Sequence, residues 1–115
     1  MRTIIRVSMV LAFVGLAGCM MPDAAEKASA RQKIKDGALV VDVRAPRDFA
    51  AGHIDGATNI PLREIASRVE QLGDRDRSIV VHCYRGMLSA KAKETLQKAG
   101  FTDVTNAGGY QDVRE

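Results

Sequence analysis

The sequence predicts an α/β domain built on a mainly parallel central sheet flanked by helices, and three observations carry that prediction. Two runs, Ala38-Leu39-Val40-Val41-Asp42-Val43 and Ile79-Val80-Val81-His82, are nearly continuous in apolar and β-branched residues, the pattern of strands buried on both faces. Two further stretches, Leu62 to Leu72 and Ser89 to Ala99, repeat apolar residues at helical spacing. Strand and helix alternate along the chain, which favours parallel pairing through helical crossovers. A length of 115 residues leaves room for one such domain.

The first residues stand apart from that domain. Arg2 and Arg6 precede or open an apolar run, Val7 to Leu16, broken only by Ser8 and Gly15. This is the charged start and short apolar core of an export signal, too short to span a bilayer permanently. It ends Leu16-Ala17-Gly18-Cys19, which resembles the lipobox of bacterial lipoproteins. The resemblance implies cleavage before Cys19 and lipid on its sulfur. Residues 1–18 are thus read as a lipoprotein signal peptide, 19–24 as a lipidated tether and 25–115 as the folded domain. An ordinary soluble export signal is the alternative. The expected location is the periplasm, lipid-anchored to a membrane. Met20 stands where an aspartate would suggest inner-membrane retention, so the outer membrane is the better expectation.

Removing the signal changes the charge balance. The whole chain has 17 basic and 14 acidic residues, net +3, and without Arg2 and Arg6 the count is 15 against 14, net +1. With interleaved charges, two tyrosines, three phenylalanines and no tryptophan, nothing supports a nucleic-acid surface.

The elements follow in order. Ala25 to Lys35 is rich in Ala, Lys, Glu and Gln and is stopped by Asp36-Gly37; it reads as a helix. With few apolar anchors beyond Ile34, that helix is expected on the surface. The strand Ala38 to Val43 carries Asp42, which needs a partner because a buried unpaired carboxylate is costly. Arg44 shares its face in regular strand, so a contact between the two or a cap of the next turn would each satisfy it. Pro46 to Ala51 makes one or two helical turns with Pro46 at the first position. Gly52-His53-Ile54-Asp55-Gly56 is a loop, and Ala57 to Ile60 a short strand. From there Leu62, Ile65, Ala66, Val69 and Leu72 form one helical stripe opposite charged residues, closed by Gly73. After a solvated turn come the strand Ile79 to His82, a loop, and the helix Ser89 to Ala99, with Leu88, Ala92, Leu96 and Ala99 inward. Phe101 to Asn106 is the last strand and Ala107-Gly108-Gly109-Tyr110 a turn before a short tail.

Cys83 ends a strand, is followed by a compact loop, and then by a helix. That order aims unpaired backbone N–H groups and the positive end of a helix dipole at one sulfur atom. A thiolate is favoured over a thiol there, which makes Cys83 a candidate nucleophile. Its position at the carboxyl end of a strand is where parallel sheets bind ligands. A buried structural cysteine is the bland alternative.

Several segments together resemble the rhodanese homology domain. They are Val41-Asp42-Val43-Arg44, Asp48-Phe49 with Gly52-His53-Ile54, Gly56-Ala57-Thr58-Asn59-Ile60-Pro61, Val81-His82-Cys83-Tyr84-Arg85-Gly86 and Ala107-Gly108-Gly109-Tyr110. The likeness runs from about Ala38 to Tyr110 and is nearest to small exported single-domain rhodaneses of the phage-shock type. It implies a three-layer rhodanese-like fold and sulfurtransferase chemistry. Cys83 would take the sulfane sulfur of thiosulfate as a persulfide and pass it to a thiophilic acceptor, cyanide in an assay or a thiol in the cell. The N–H groups of Tyr84, Arg85, Gly86, Met87, Leu88 and Ser89 would cradle the persulfide and the incoming anion. Ser89 would cap the helix and donate to the sulfur. The likeness also implies that Asp42, Arg44 and Asp48 form a supporting polar network, and His53 is expected to hold its turn rather than meet substrate.

The loop departs from the commonest pattern of that family. Larger rhodaneses often carry arginine at the sixth loop position, which here is Leu88, and the only loop arginine is Arg85. Leu88 either packs inward or, with Met87, suits an apolar thiol or a protein thiol acceptor. Phosphatases and arsenate reductases of this fold have a longer loop ending in arginine, which argues against them. His82 neighbours Cys83 in a strand and should point away from it. Neither His53 nor His82 has metal-ligand spacing, so no metal and no cofactor are expected. A non-turnover sulfur carrier, sensor or binding module is the alternative function. A thiol redox protein would need a resolving cysteine, which the chain lacks once Cys19 is lipidated.

Overall fold

The computed structural model describes residues 20–114; the proposed signal peptide and Cys19 lie outside the described residues. Four parallel strands form one sheet in the order β2-β1-β3-β4, with β1 at Leu39–Asp42, β2 at Thr58–Asn59, β3 at Ile79–Cys83 and β4 at Val104–Gly109. Among the described residues the α-helices are α1 (Ala24–Lys35), α2 (Pro46–Ala51), α3 (Met87–Lys98) and the single-turn α4 (Tyr110–Val113). Sequence order reverses direction at β1 and β3, so the crevice at their carboxyl ends is a topological switch point. Val43 and Arg44 leave β1 on that side, and Cys83 closes β3 there.

Side chains alternate between the two faces of each strand. Val41, Val43, Ile79, Val81 and Cys83 join Ile60, Ile65, Leu72, Ala92, Leu96 and Phe101 in the larger core under α3. Val80 and Ala107 face Ala30 of α1, with Ile34, Ala38 and Val113 around them. Both faces are covered, which is why β1 and β3 are apolar almost throughout.

Four expectations need correction. First, α1 is not merely superficial. Ala30 is fully buried, small enough to let the helix approach the sheet, and polar clasps fix its two ends. Glu26 Oε2 accepts from Asn106 N at 2.8 Å and from Lys93 Nζ at 2.7 Å, while Lys33 Nζ lies 2.6 Å from Asp103 Oδ1 and 3.0 Å from Thr105 Oγ1. Asp23 caps the start of the helix through the Glu26 N–H at 2.8 Å.

Second, Leu62 to Leu72 is two 3₁₀ segments, Leu62–Glu64 and Ala66–Leu72, with non-helical backbone at Arg68. The buried or half-buried anchors fall in pairs three apart, Leu62 with Ile65 and Val69 with Leu72. A 3₁₀ helix aligns residues three apart; the four-residue step between the pairs falls at the break. Ala66 is exposed and has left the stripe.

Third, α3 starts at Met87, two residues before Ser89, with Gly86 as its N-cap at φ 116°. Fourth, the expected turn at 107–109 is the end of β4. Between the pairs Val81↔Asn106 and Cys83↔Gly109, β3 has one residue and β4 has two, Ala107 and Gly108. This is a β-bulge, and Gly108 sits in it at φ 93°.

Candidate active site

Cys83 Sγ lies at the floor of the loop between β3 and α3, nearly fully buried. Gly86 N donates to it at 3.0 Å, and Ser89 N and Ser89 Oγ approach it at 3.3 Å each. The reason is local. Gly86 turns the chain through the left-handed region, which only glycine adopts readily, and the first intrahelical bond of α3 is Ala90 N to Gly86 O. Ser89 is therefore in the first turn, where its N–H has no helical acceptor and is free for the sulfur. Burial pushes the Cys83 thiol up, but the Ser89 hydroxyl and the N–H groups of Ser89, Gly86 and Arg85 more than reverse this, holding it below the ordinary thiol value. A buried sulfur ringed by donors is suited to carry negative charge and attack an electrophilic centre.

Ser89 thus meets the sulfur but does not cap α3. Its hydroxyl also donates to Asn106 Oδ1 at 2.8 Å. Asn106 is a residue that sequence reasoning missed. Fully buried on β4, its Oδ1 accepts from Gly108 N at 2.9 Å and its Nδ2 donates to Gly86 O at 3.1 Å. It ties the bulge, the loop and the helix start into one unit. The sequence carries no local signal for it beyond the nearby Gly108-Gly109 pair.

Of the remaining loop residues, Tyr84 is exposed and bonds to α2. Its hydroxyl donates a short hydrogen bond to Asp48 and accepts from Ala45 N at 3.1 Å, latching the loop to the start of α2. Arg85 and Met87 are exposed. Leu88 is partly buried against the main core, so it packs inward. The loop also rests on β4: a Cβ on Gly109 would stand 2.2 Å from Tyr84 O.

The supporting residues sit on the opposite face. Arg44 Nη2 and Nε grip the Asp42 carboxylate at 2.8 and 3.0 Å, and Arg44 N donates to Asp42 Oδ1 at 3.0 Å, so contact and cap both occur. The hydrogen bond to Asp42, against the burial that opposes it, raises the Arg44 pKa further. Asp48 does not bond to this pair; it joins through Tyr84. His53 is exposed, stacks on Phe49 with centroids 3.8 Å apart, and has Nδ1 2.7 Å from Phe49 O, holding its turn away from the sulfur. His82 lies fully buried with Nε2 3.6 Å from Asp42 Oδ2, on the face away from Cys83. Burial lowers its pKa despite Asp42 nearby, and its place on the opposite face, not its charge, keeps it from serving Cys83 as a base. An open pocket of about 490 Å³ on that side is lined by Arg44, Asp48, Ala51, Gly52, Tyr110 and Arg114. It belongs to the support network and does not reach the sulfur.

Comparison with known proteins supplies the family. The Rhodanese-like domain family matches residues 23–115. Thiosulfate sulfurtransferase PspE of Escherichia coli is 40% identical over 74 residues, covering 64% of this chain and 71% of that protein. Thiosulfate sulfurtransferase GlpE of Pseudomonas putida is 41% identical over 78 residues, covering 67% and 70%. Among solved structures, a rhodanese with anions from E. coli superposes with a TM-score of 0.64 at 38% identity, covering 67% of this chain and 92% of that one. The human single-domain sulfurtransferase TSTD1 superposes at 0.65 with 27% identity, covering 74% and 88%. With the sequence landmarks, the parallel sheet and the cysteine loop in agreement, the chain belongs to the rhodanese-like domain family.

Proposed function

We propose that the protein is a sulfurtransferase that carries a sulfane sulfur on Cys83. The observation that carries this reading is the set of hydrogen bonds converging on one buried sulfur from Gly86 N, Ser89 N and Ser89 Oγ. The names of the relatives support the same chemistry. The Cys83 thiolate attacks the outer sulfur of thiosulfate, the S–S bond of thiosulfate breaks, and sulfite leaves with the electron pair. The product is the Cys83 persulfide anion, held by the loop donors. An acceptor thiolate, or cyanide in an assay, then attacks the outer sulfur and releases the Cys83 thiolate. No external oxidant or reductant enters. Two half-reactions through a covalent intermediate give ping-pong kinetics.

Thiosulfate should add ~32 Da, one sulfur atom, to the protein, and Cys83→Ala should abolish the gain. Wild type that gains no mass with any sulfane donor sinks the reading. The inward packing of Leu88, which leaves exposed Arg85 as the loop's only guanidinium, favours a second reading as a carrier or sensor without turnover. That reading expects the same mass gain with negligible thiocyanate release.

For location, we propose a lipid-anchored periplasmic protein with lipid on Cys19, supported by the charged start, apolar core and Leu16-Ala17-Gly18-Cys19 motif. Cys19→Ser should block palmitate labelling and move the protein to the soluble fraction. Unchanged membrane association would remove this proposal.

A further inference from the structure

Among the described residues the exposed large hydrophobic side chains are Met20 (63% exposed), Met21 (48%), Tyr84 (44%) and Met87 (62%). Single exposed apolar residues are ordinary, but these all fall on two short segments, the tether and the Cys83 loop. The two segments touch. Met21 Cε and Pro22 Cδ lie 3.2 and 3.3 Å from where a Cβ on Gly86 would stand, and Pro22 is buried. The stretch expected to be a lipidated tether thus packs, through Met21 and Pro22, on the loop that holds the sulfur. Exposed Arg85 lies between Tyr84 and Met87 and adds a cation to the same rim.

Cys19 immediately precedes Met20, and two residues of chain span at most ~7 Å. We infer that the lipid anchor holds the mouth of the Cys83 loop directly against the bilayer. Met20, Met21, Tyr84 and Met87 then sit at the boundary of headgroups and acyl chains, with Arg85 among the phosphates. The sulfur donor or acceptor that follows from this placement is an apolar thiol or persulfide that partitions into the membrane surface. This inference rests on lipidation of Cys19.

The test compares the lipidated protein with a variant carrying about twenty Gly/Ser residues between Cys19 and Met20, a coil of roughly 25 Å. Both are placed in vesicles of phosphatidylethanolamine and phosphatidylglycerol. Cys83 alkylation is timed with an acyl-chain maleimide dissolved in the bilayer and with a charged maleimide excluded from it. The ratio of the two rates should fall by about tenfold in the variant, because the longer linker dilutes Cys83 at the surface. Thiosulfate loading in detergent should be the same for both. Equal ratios in two palmitate-labelled proteins would overturn the inference and leave lipidation standing. Absence of the palmitate label would overturn lipidation itself, and this inference with it. Protection of Cys83 from both reagents that grows with protein concentration would assign the rim to a second copy and overturn it too.

Discussion

Ser89 has one hydroxyl proton and three acceptors in reach, of which Gly108 O at 3.4 Å is the farthest. Its Oγ lies 2.8 Å from Asn106 Oδ1 and 3.3 Å from Cys83 Sγ. With a thiol, S–H donates to Oγ and the hydroxyl donates to Asn106. With a thiolate, the hydroxyl turns to the sulfur and Asn106 Oδ1 keeps the Gly108 N–H. Ser89→Ala removes this adjustable donor and leaves the backbone ones. A hydrogen bond to a charged group contributes ~1.5–3 kcal/mol, so the pH midpoint of Cys83 alkylation should rise by about one to two units. An unmoved midpoint would show that the N–H groups suffice. Asn106→Ala strands Gly108 N in the interior, takes an acceptor from the Ser89 hydroxyl and leaves Gly86 O with the Ala90 N–H alone; we expect about 2 kcal/mol lower stability and slower persulfide formation, read by urea unfolding and mass spectrometry. Cys83 was legible because strand, cysteine, glycine and helix are contiguous. Asn106 was not, because its partners Ser89 and Gly86 lie 17 and 20 residues away.

At the scale of elements, the strands and α3 follow from local pattern because β-branched runs and helical stripes are read over a few residues. The two 3₁₀ segments were less legible, since a stripe at 62, 65, 69 and 72 satisfies both helix types until packing picks one. The bulge in β4 was hidden as well: Ala107-Gly108-Gly109 has turn composition, and only its pairing with β3 makes it strand. Gly109 is where this matters most. Its missing Cβ leaves room for the Tyr84 carbonyl, so a methyl group there must push the Cys83 loop or β4 aside. Gly109→Ala should destabilise by about 3 kcal/mol, the upper end for overpacked sites, and slow alkylation of Cys83. A variant with wild-type urea midpoint and alkylation rate would contradict the close packing of loop on strand.

For the whole molecule, two covered faces set the pH response. His82 sits between them, facing Asp42 and Arg44 with the Tyr110 ring 6.0 Å from its own. Burial lowers its pKa from the ordinary value of 6.5. Above that value neither the folded nor the unfolded chain binds the proton, and stability is unaffected. As pH falls below it the unfolded chain takes up a proton that the folded one refuses, so stability declines until the folded pKa is passed. Urea midpoints between pH 8 and pH 5 should show this decline, at most ~1.4 kcal/mol for each step of one in pH below the ordinary value, and His82→Phe should flatten it. An equal slope in the variant would place the titration elsewhere.

The Glu26 carboxylate of α1 has a further consequence through its bond to Asn106 N. β4 pairs with β3 on one side only, so its other side is an open sheet edge. By occupying an N–H on that edge, Glu26 denies it to a strand from another molecule. Glu26→Ala should leave the edge available and produce concentration-dependent association by light scattering, while Glu26→Gln, which keeps an acceptor oxygen, should remain dispersed. The helix expected on the surface thus also occupies one N–H of the β4 edge, one of the two edges of the sheet.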